Sequence, residues 1–397
     1  MYSLKSLYKI GHGPSSSHTM GPSNAIKYVL KKYQNIDFIK MTFYGSLALT
    51  GKGHLADYIA ELSLKDVPHK IEFDYETKTS HPNTMIFDIT IGEKIFKETI
   101  ISIGGGLIEV EGEKKEELYK HIYPHNHFSD IKKYCETNRI SLDEYVDKYD
   151  DKDIDAYLET VYQKMMSNVE DGLKKDGYLP GKLKVKRKAK EIYYSIEEGE
   201  NEQIREKRLI CAYAFAASEE NASGGEVVTA PTCGACGIIP ALVKYFDTKY
   251  SHRKIINALK VAGIIGLIVK HNASISGAEC GCQAEIGTAS SMGAAFVTFL
   301  RGGSIYQIER AAEISMEHLL GLTCDPIEGY VQIPCIERNA VYALRSIEAS
   351  SLALFIDPSM NKISFDTVVE TMYQTGKDLL NGYRETAQSG LAKNYEK

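Results

Sequence analysis

From Leu209 onward Ala, Gly, Ile and Leu dominate the chain, recurring three and four residues apart through GIIPALVKYF, KIINALKVAGIIGLIVK, EIGTASSMGAAFVTFL and IERAAEISMEHLL. This spacing lays apolar side chains along one face of successive helices, and the small residues let those helices approach closely. Residues 206–397 are therefore expected to form an all-helical domain. Upstream, between Ile39 and Ile108, short apolar runs (KMTFYGSLAL, HKIEFDY, TMIFDITI, KETIISIGGG) alternate with Gly, Pro and Asn breaks, which predicts strands with a helix or two between them. This part reads as an α+β (α/β) domain over 1–150. Between Glu111 and Glu206 the composition turns charged and Tyr-rich, with clusters such as EGEKKEE, DKYDDKD and KVKRKAKE on weak helical periodicity, and 151–205 is read as a solvated helical connecting region of a multi-domain chain.

With 397 residues, 43% of them apolar, the chain can bury one large core or two ordinary ones. A formal charge of −6 offers no basic surface for nucleic acid or an anionic membrane, and a small-molecule partner is expected instead. The start, MYSLKSLYKIG, alternates Lys with apolar residues and lacks a continuous apolar core and a cleavage site, so it does not read as a secretory signal and a cytoplasmic location is expected. The most hydrophobic run, Val261 to Val269, is bounded by Lys260 and Lys270 and is shorter than the roughly 18 to 20 residues that span a bilayer. It predicts a buried helix.

In a reducing compartment the eight Cys are expected to be buried, metal-bound or catalytic rather than paired. Cys282, Cys324 and Cys335 each sit in a polar break bounded by Gly or Pro: SGAECGCQAEIG, GLTCDPIEGY and VQIPCIERN. Three thiolates from separate loops can hold three irons of a [4Fe-4S] cube and leave the fourth open as a Lewis acid. The alternative is that they are small buried hydrophobes. Cys233 and Cys236 form a CxxC, but without a second CxxC or a suitably spaced His pair the zinc reading is weak, and the context is not that of a thioredoxin. Cys135 and Cys211 are read as packing residues.

Two N-terminal loops carry polar chemistry. GPSSSHTMGP places Ser15, Ser16, Ser17, His18 and Thr19 ahead of a helical stretch, where hydroxyls and backbone N–H groups can receive a carboxylate or simply cap the helix. YGSLALTGKGH brings Lys52 and His54 to a Gly-flanked bend, and His is suited to proton transfer near neutrality. HPNTM and SIGGGL add His81, Asn83, Gly104 and Gly105 as candidate substrate-binding residues.

Taken together, GPSSSHTMGP, YGSLALTGKGH, HPNTM, SIGGGL, TAPTCGACGIIP, SGAECGCQAEIG, GLTCDP and VQIPCIERN follow one another along nearly the whole chain. This ordered set closely resembles the iron-sulfur-dependent L-serine dehydratases (L-serine ammonia-lyases) in their single-chain form. The first domain resembles that family's β portion and the second its helical, cluster-carrying α portion. The resemblance implies a [4Fe-4S] cofactor on Cys282, Cys324 and Cys335, and places His18 and His54 in the active site with His54 as base, Lys52 beside it and the Ser-rich loop gripping the carboxylate. L-serine is the implied substrate, giving pyruvate and ammonia, and a homodimer is expected for an enzyme of this size. Two departures stand out. Cys233 falls where Asn is expected and Cys280 where an apolar residue is expected, so either thiol is a candidate for the fourth iron. The interdomain stretch also reads as shorter than in longer relatives.

Two other readings compete. A pyridoxal phosphate dehydratase would use SIGGGL for phosphate and Lys52, Lys244 or Lys270 for a Schiff base, but no Lys motif is paired with the Gly loop. A non-catalytic iron-sulfur ligand or oxygen sensor would need the cysteines but not both His54 and the Ser-rich loop.

Overall fold

The computed structural model describes residues 1–113 and 121–395; the end of the EGEKKEE stretch lies outside them. A five-stranded sheet with order β3-β2-β4-β5-β6 forms from β2 (Phe38–Tyr44), β3 (His69–Asp74), β4 (Thr84–Ile91), β5 (Lys94–Ser102) and β6 (Ile108–Val110). β2 runs parallel to β3 and antiparallel to β4, and β5 and β6 continue antiparallel. Ile39, Met41 and Phe43 of β2 alternate inward with Met85, Phe87 and Ile89 of β4, all fully buried. They bury the apolar faces of two helices, α1 (Met20–Lys32), through Ala25, Ile26 and Val29, and Ala56–Leu64, through Ala56, Ala60 and Leu64. Period-two strands against period-3.6 helices make a half-open α+β layer.

The rest of the described chain is largely helical. Helix His252–Asn272 is buried on nearly every side, packs on Thr288–Leu300, and that helix in turn packs on Ile305–Glu317 and Cys335–Phe355. Among the described residues it is the one helix long and apolar enough to cross a membrane, but 78% of its apolar window is buried inside the molecule. Residues 151–205 are helical at Ile154–Lys174 and Ala189–Tyr194. In the first of these Ile154, Leu158, Val161, Met165 and Val169 recur at helical spacing and join the main core, so this stretch is solvated on one face only.

Two N-terminal features tie the layers together. Met1, Leu4, Leu7 and Tyr8 are inserted into the helical core, and the Tyr8 hydroxyl donates to Leu259 O at 2.9 Å. Gly263 and Gly266 make room for them: a Cβ on either would stand 2.5 Å from Leu4 or 2.7 Å from Leu7. Then β1 (Ile10–His12) pairs antiparallel with β7 (Glu226–Val228), which delivers the Ser-rich turn to the edge of the helical layer.

Candidate active site

The Ser-rich turn is buried throughout and closes on itself, with the N–H groups of His18 and Thr19 donating to Ser15 O. His18 is locked at both nitrogens. Its Nε2–H donates to Ser46 O (3.2 Å), so Nδ1 accepts from Ser17 Oγ (2.8 Å). Burial takes the ring down to about 4, so it stays neutral. His54, at the end of the TGKGH bend, stacks edge-on against His18 with centroids 4.4 Å apart. Its Nδ1 faces Thr50 Oγ1 at 3.4 Å, while its Nε2 is buried with no hydrogen-bond partner among the described residues. Burial first, and His18 second, hold His54 well below the ordinary histidine value. A neutral ring with a bare, buried nitrogen is a proton acceptor in waiting.

Cys282 follows a one-turn helix, Gly277–Cys280, just past its cap Gly281, and itself caps a π-helical turn, Gln283–Gly287, a geometry frequent at functional sites. Cys324 lies in an extended loop, and Cys335 begins helix Cys335–Phe355. The three converge on one internal pocket, which Ser15, His54, Glu285 and Glu385 also line. The Cys324 thiol hydrogen-bonds to Cys282 and, with the Arg338 guanidinium beside it, holds the Cys282 thiol down to about 6; Cys324 is pushed up in return, and Cys335 is raised chiefly by burial. Arg338 is itself fixed by Thr323 O (2.7 Å) and Asp325 (3.6 Å). Asn339 anchors Cys335 to the TAPTCGACG loop: Oδ1 accepts from Gly237 N (2.8 Å), and Nδ2 donates to Gly234 O (2.8 Å) and Cys335 O (2.9 Å).

A C-terminal strap closes the pocket. Cys324 N donates to Tyr383 O and Glu385 N donates to Cys324 O, both at 2.8 Å, while Ser46 Oγ donates to Glu385 O at 2.7 Å. Glu385 is thereby aimed inward, its carboxylate 3.7 Å from His54 Nδ1 and 3.8 Å from His18 Nδ1. Burial, and then the charge of Glu285, push the Glu385 carboxyl well up; burial and then Cys282 push Glu285 up to about 8.

Other expected residues lie elsewhere. Lys52 is exposed, with Nζ 5.7 Å from the Phe73 ring centroid, because the bend that buries His54 turns its neighbour outward. Ser16, Ser17 and Thr19 stand behind Ser15 rather than on the pocket wall. His81 faces Glu279 at 3.6 Å, and Gly105 faces Lys270; with Ile103 and His271 they flank a second cleft on the far side of Gly277–Cys280. Asn83 braces the sheet end, Nδ2 to Ser102 O at 3.4 Å, and Gly104 backs onto Ile275 and Ser276. The lysines of the Schiff-base reading are scattered, Lys244 paired with Glu170 and Lys270 bonded to Ser6 O. Cys233 packs against Met20 (3.8 Å), Cys236 against Ala217 O, and Cys280 against Gly376, so none of these lines the three-cysteine pocket.

Two donor groups could hold metal. One is the Cys282, Cys324 and Cys335 set, whose soft thiolates suit an iron-sulfur cluster with one open iron. The other is His18, His54 and Glu385, with ligand atoms within 4.8 Å of one another. The first fits better, because three soft thiols share one pocket beside the Arg338 guanidinium, whereas His18 would have to surrender a hydrogen bond to ligate.

Glu285, Arg338 and Asn339 stood inside the cysteine loops already singled out, where a charged or amide residue beside a buried Cys was a usable signal. Glu385, in an unremarked C-terminal stretch, had none.

The pocket combines three soft thiol ligands with a buried, neutral histidine whose Nε2 has no partner among the described residues. Comparison with known proteins makes the assignment sharper. The family model described as serine dehydratase beta chain matches residues 3–68, and that described as serine dehydratase alpha chain matches 77–392, the two meeting within the five-stranded sheet. Relatives include L-serine dehydratase of Haemophilus influenzae (37% identical, covering 99% of each chain), L-serine dehydratase TdcG of Escherichia coli (39%, 99% of each) and L-serine dehydratase of Helicobacter pylori (38%, 99% of this chain and 98% of the relative). The chain belongs to the single-chain serine dehydratase family. The Haemophilus alignment runs over 450 positions, so that relative carries segments this 397-residue chain lacks.

Proposed function

We propose that the protein is an L-serine ammonia-lyase that converts L-serine to pyruvate and ammonia, with Cys282, Cys324 and Cys335 holding a [4Fe-4S] cluster and His54 as general base. The observation that carries this reading is that the three thiols and the ring of His54, whose Nε2 has no partner, line one buried pocket. When bound, the cluster would supply Lewis acidity to the departing β-hydroxyl. The protein's own groups do the rest. Ser15 Oγ, on the pocket wall at the turn ahead of α1, receives the substrate carboxylate. His54 Nε2 takes the Cα proton as the C3–O bond breaks, leaving aminoacrylate, which tautomerises to the imine and hydrolyses to pyruvate and ammonia. His18, held by Ser17 and Ser46, fixes the position of the His54 ring and keeps a second charge out of the site. Burial of the pocket excludes bulk water from the base. In this reading His81 belongs to the second cleft, Asn83, Gly104 and Gly105 support the loops beside it, and Lys52 is a surface residue.

The test is pyruvate release from L-serine by protein reconstituted with iron and sulfide under strict anaerobiosis, followed through exposure to air. Release that stops in air supports the reading; no release from a fully loaded cluster overturns it and favours a non-catalytic sensor.

A further inference from the structure

The pocket contains two carboxyl groups that the reaction scheme does not use. Glu285 and Glu385 both line it, one from the π-helical turn and the other from the C-terminal strap. Among the described residues, the only groups at ion-pair distance of the Glu385 carboxylate are His18 and His54, both kept neutral. Two glycines make room for the Glu285 carboxyl, since a Cβ on Gly277 would stand 3.1 Å from its Oε2 and one on Gly234 3.2 Å away, and the Thr232 hydroxyl and the Cys282 thiol lie beside it. The nearest guanidinium, on Arg338, is already engaged by Cys282, Asp325 and Thr323 O. Buried carboxylates are costly unless a cation meets them, so two carboxyl groups facing one cavity suit a cationic ligand. A second, independent observation is His54 Nε2, fully buried on the same pocket and without a hydrogen-bond partner among the described residues.

We propose that Glu285 and Glu385 together form the receptor for the α-ammonium group of the substrate, which makes the pocket selective for amino acids over the corresponding hydroxy acids. The inference rests on the proposed serine reaction, and it assigns a role that the carboxylate-gripping turn and the base leave open. Ser15, whose hydroxyl also reaches the Glu385 carboxyl, and the two carboxyl groups line one cavity with His54 and together offer partners for both ends of a zwitterion. The receptor comes from two distant segments, so neither the cluster loop nor the strap is selective alone.

The experiment compares L-serine with 3-hydroxypropionate, which replaces the ammonium with hydrogen, on reconstituted wild-type, Glu385→Gln and Glu285→Gln holoenzyme. Binding is read by anaerobic calorimetry and by KM or inhibition constant, with iron content and the cluster absorbance as controls. Each Gln variant is expected to bind L-serine about 10- to 100-fold more weakly, as for loss of one charged hydrogen bond, with the analogue unchanged within about threefold. Equal weakening of both ligands, as when a carboxylate ligates iron or only supports the fold, overturns the proposal, as does an unchanged KM for L-serine in both variants. Should both variants lose the cluster, the wild-type pair decides: equal affinity for the two ligands refutes the receptor, and tighter L-serine supports it. Pyruvate release with unchanged KM sinks this inference alone, whereas no pyruvate from loaded wild type sinks the reaction on which it rests.

Discussion

Replacing Asn339 with Ala tests whether the site is braced by one side chain. Asn339 is 1% exposed, and its amide satisfies Gly237 N–H, Gly234 C=O and Cys335 C=O together. Cys335 C=O, at the start of its helix, retains an intrahelical partner, so the substitution leaves the buried Gly237 N–H and the half-buried Gly234 C=O without the amide. At about 1–3 kcal/mol for each unsatisfied group, the expected loss is on the order of 3 kcal/mol. The chain has no Trp, so unfolding is best followed by far-ultraviolet circular dichroism in urea, comparing midpoints at equal slope. Loosening Cys335 against Gly234 should also lower the iron retained after gel filtration, while secondary structure in water stays unchanged. A loss below about 1 kcal/mol with full iron content would refute the reasoning, because it would mean that water replaces the amide without cost.

Three further outcomes are expected. His54→Ala should lower kcat about 10²- to 10⁴-fold with iron content and cluster absorbance intact; loss of the cluster instead would contradict its role as base. Cys282→Ala, Cys324→Ala and Cys335→Ala should each abolish iron binding, whereas Cys233→Ser and Cys280→Ala should keep it, as their thiols pack away from the pocket; iron and sulfide analysis separates the two groups, and iron loss from the second would reverse the ligand assignment. Acid should unfold the chain partly through His18: its folded value of about 4 lies below the 6.5 of the unfolded chain, so the unfolded state takes up the proton first. Stability is then unaffected above 6.5 and falls as pH drops from 6.5 towards 4, by up to ~3 kcal/mol, and His18→Gln should flatten that slope in urea titrations at several pH values.

Much of this organisation can be read from the chain alone. The change from period-two to period-3.6 hydrophobicity separates the sheet layer from the helical layer, because alternation and helical spacing each permit one kind of buried face. The loops that interrupt the helices point to Cys282, Cys324 and Cys335, since a polar break bounded by Gly or Pro inside an apolar run is where backbone leaves the helix. His18 and His54 stand out for the same reason. What the sequence could not decide is direction and distance. Lys52 and His54 share one bend, yet one faces solvent and the other is sealed, since the turn sends neighbouring side chains opposite ways. HPNTM and SIGGGL look like active-site loops but flank a neighbouring cleft, because the helix Gly277–Cys280 stands between them and the cysteines. Glu385 enters the pocket only because backbone pairing of Tyr383 and Glu385 with Cys324 draws the strap across it. Local pattern determines which residues are buried and on which kind of element; which buried groups meet is set by contacts between segments far apart in the chain, and no short-range periodicity encodes those.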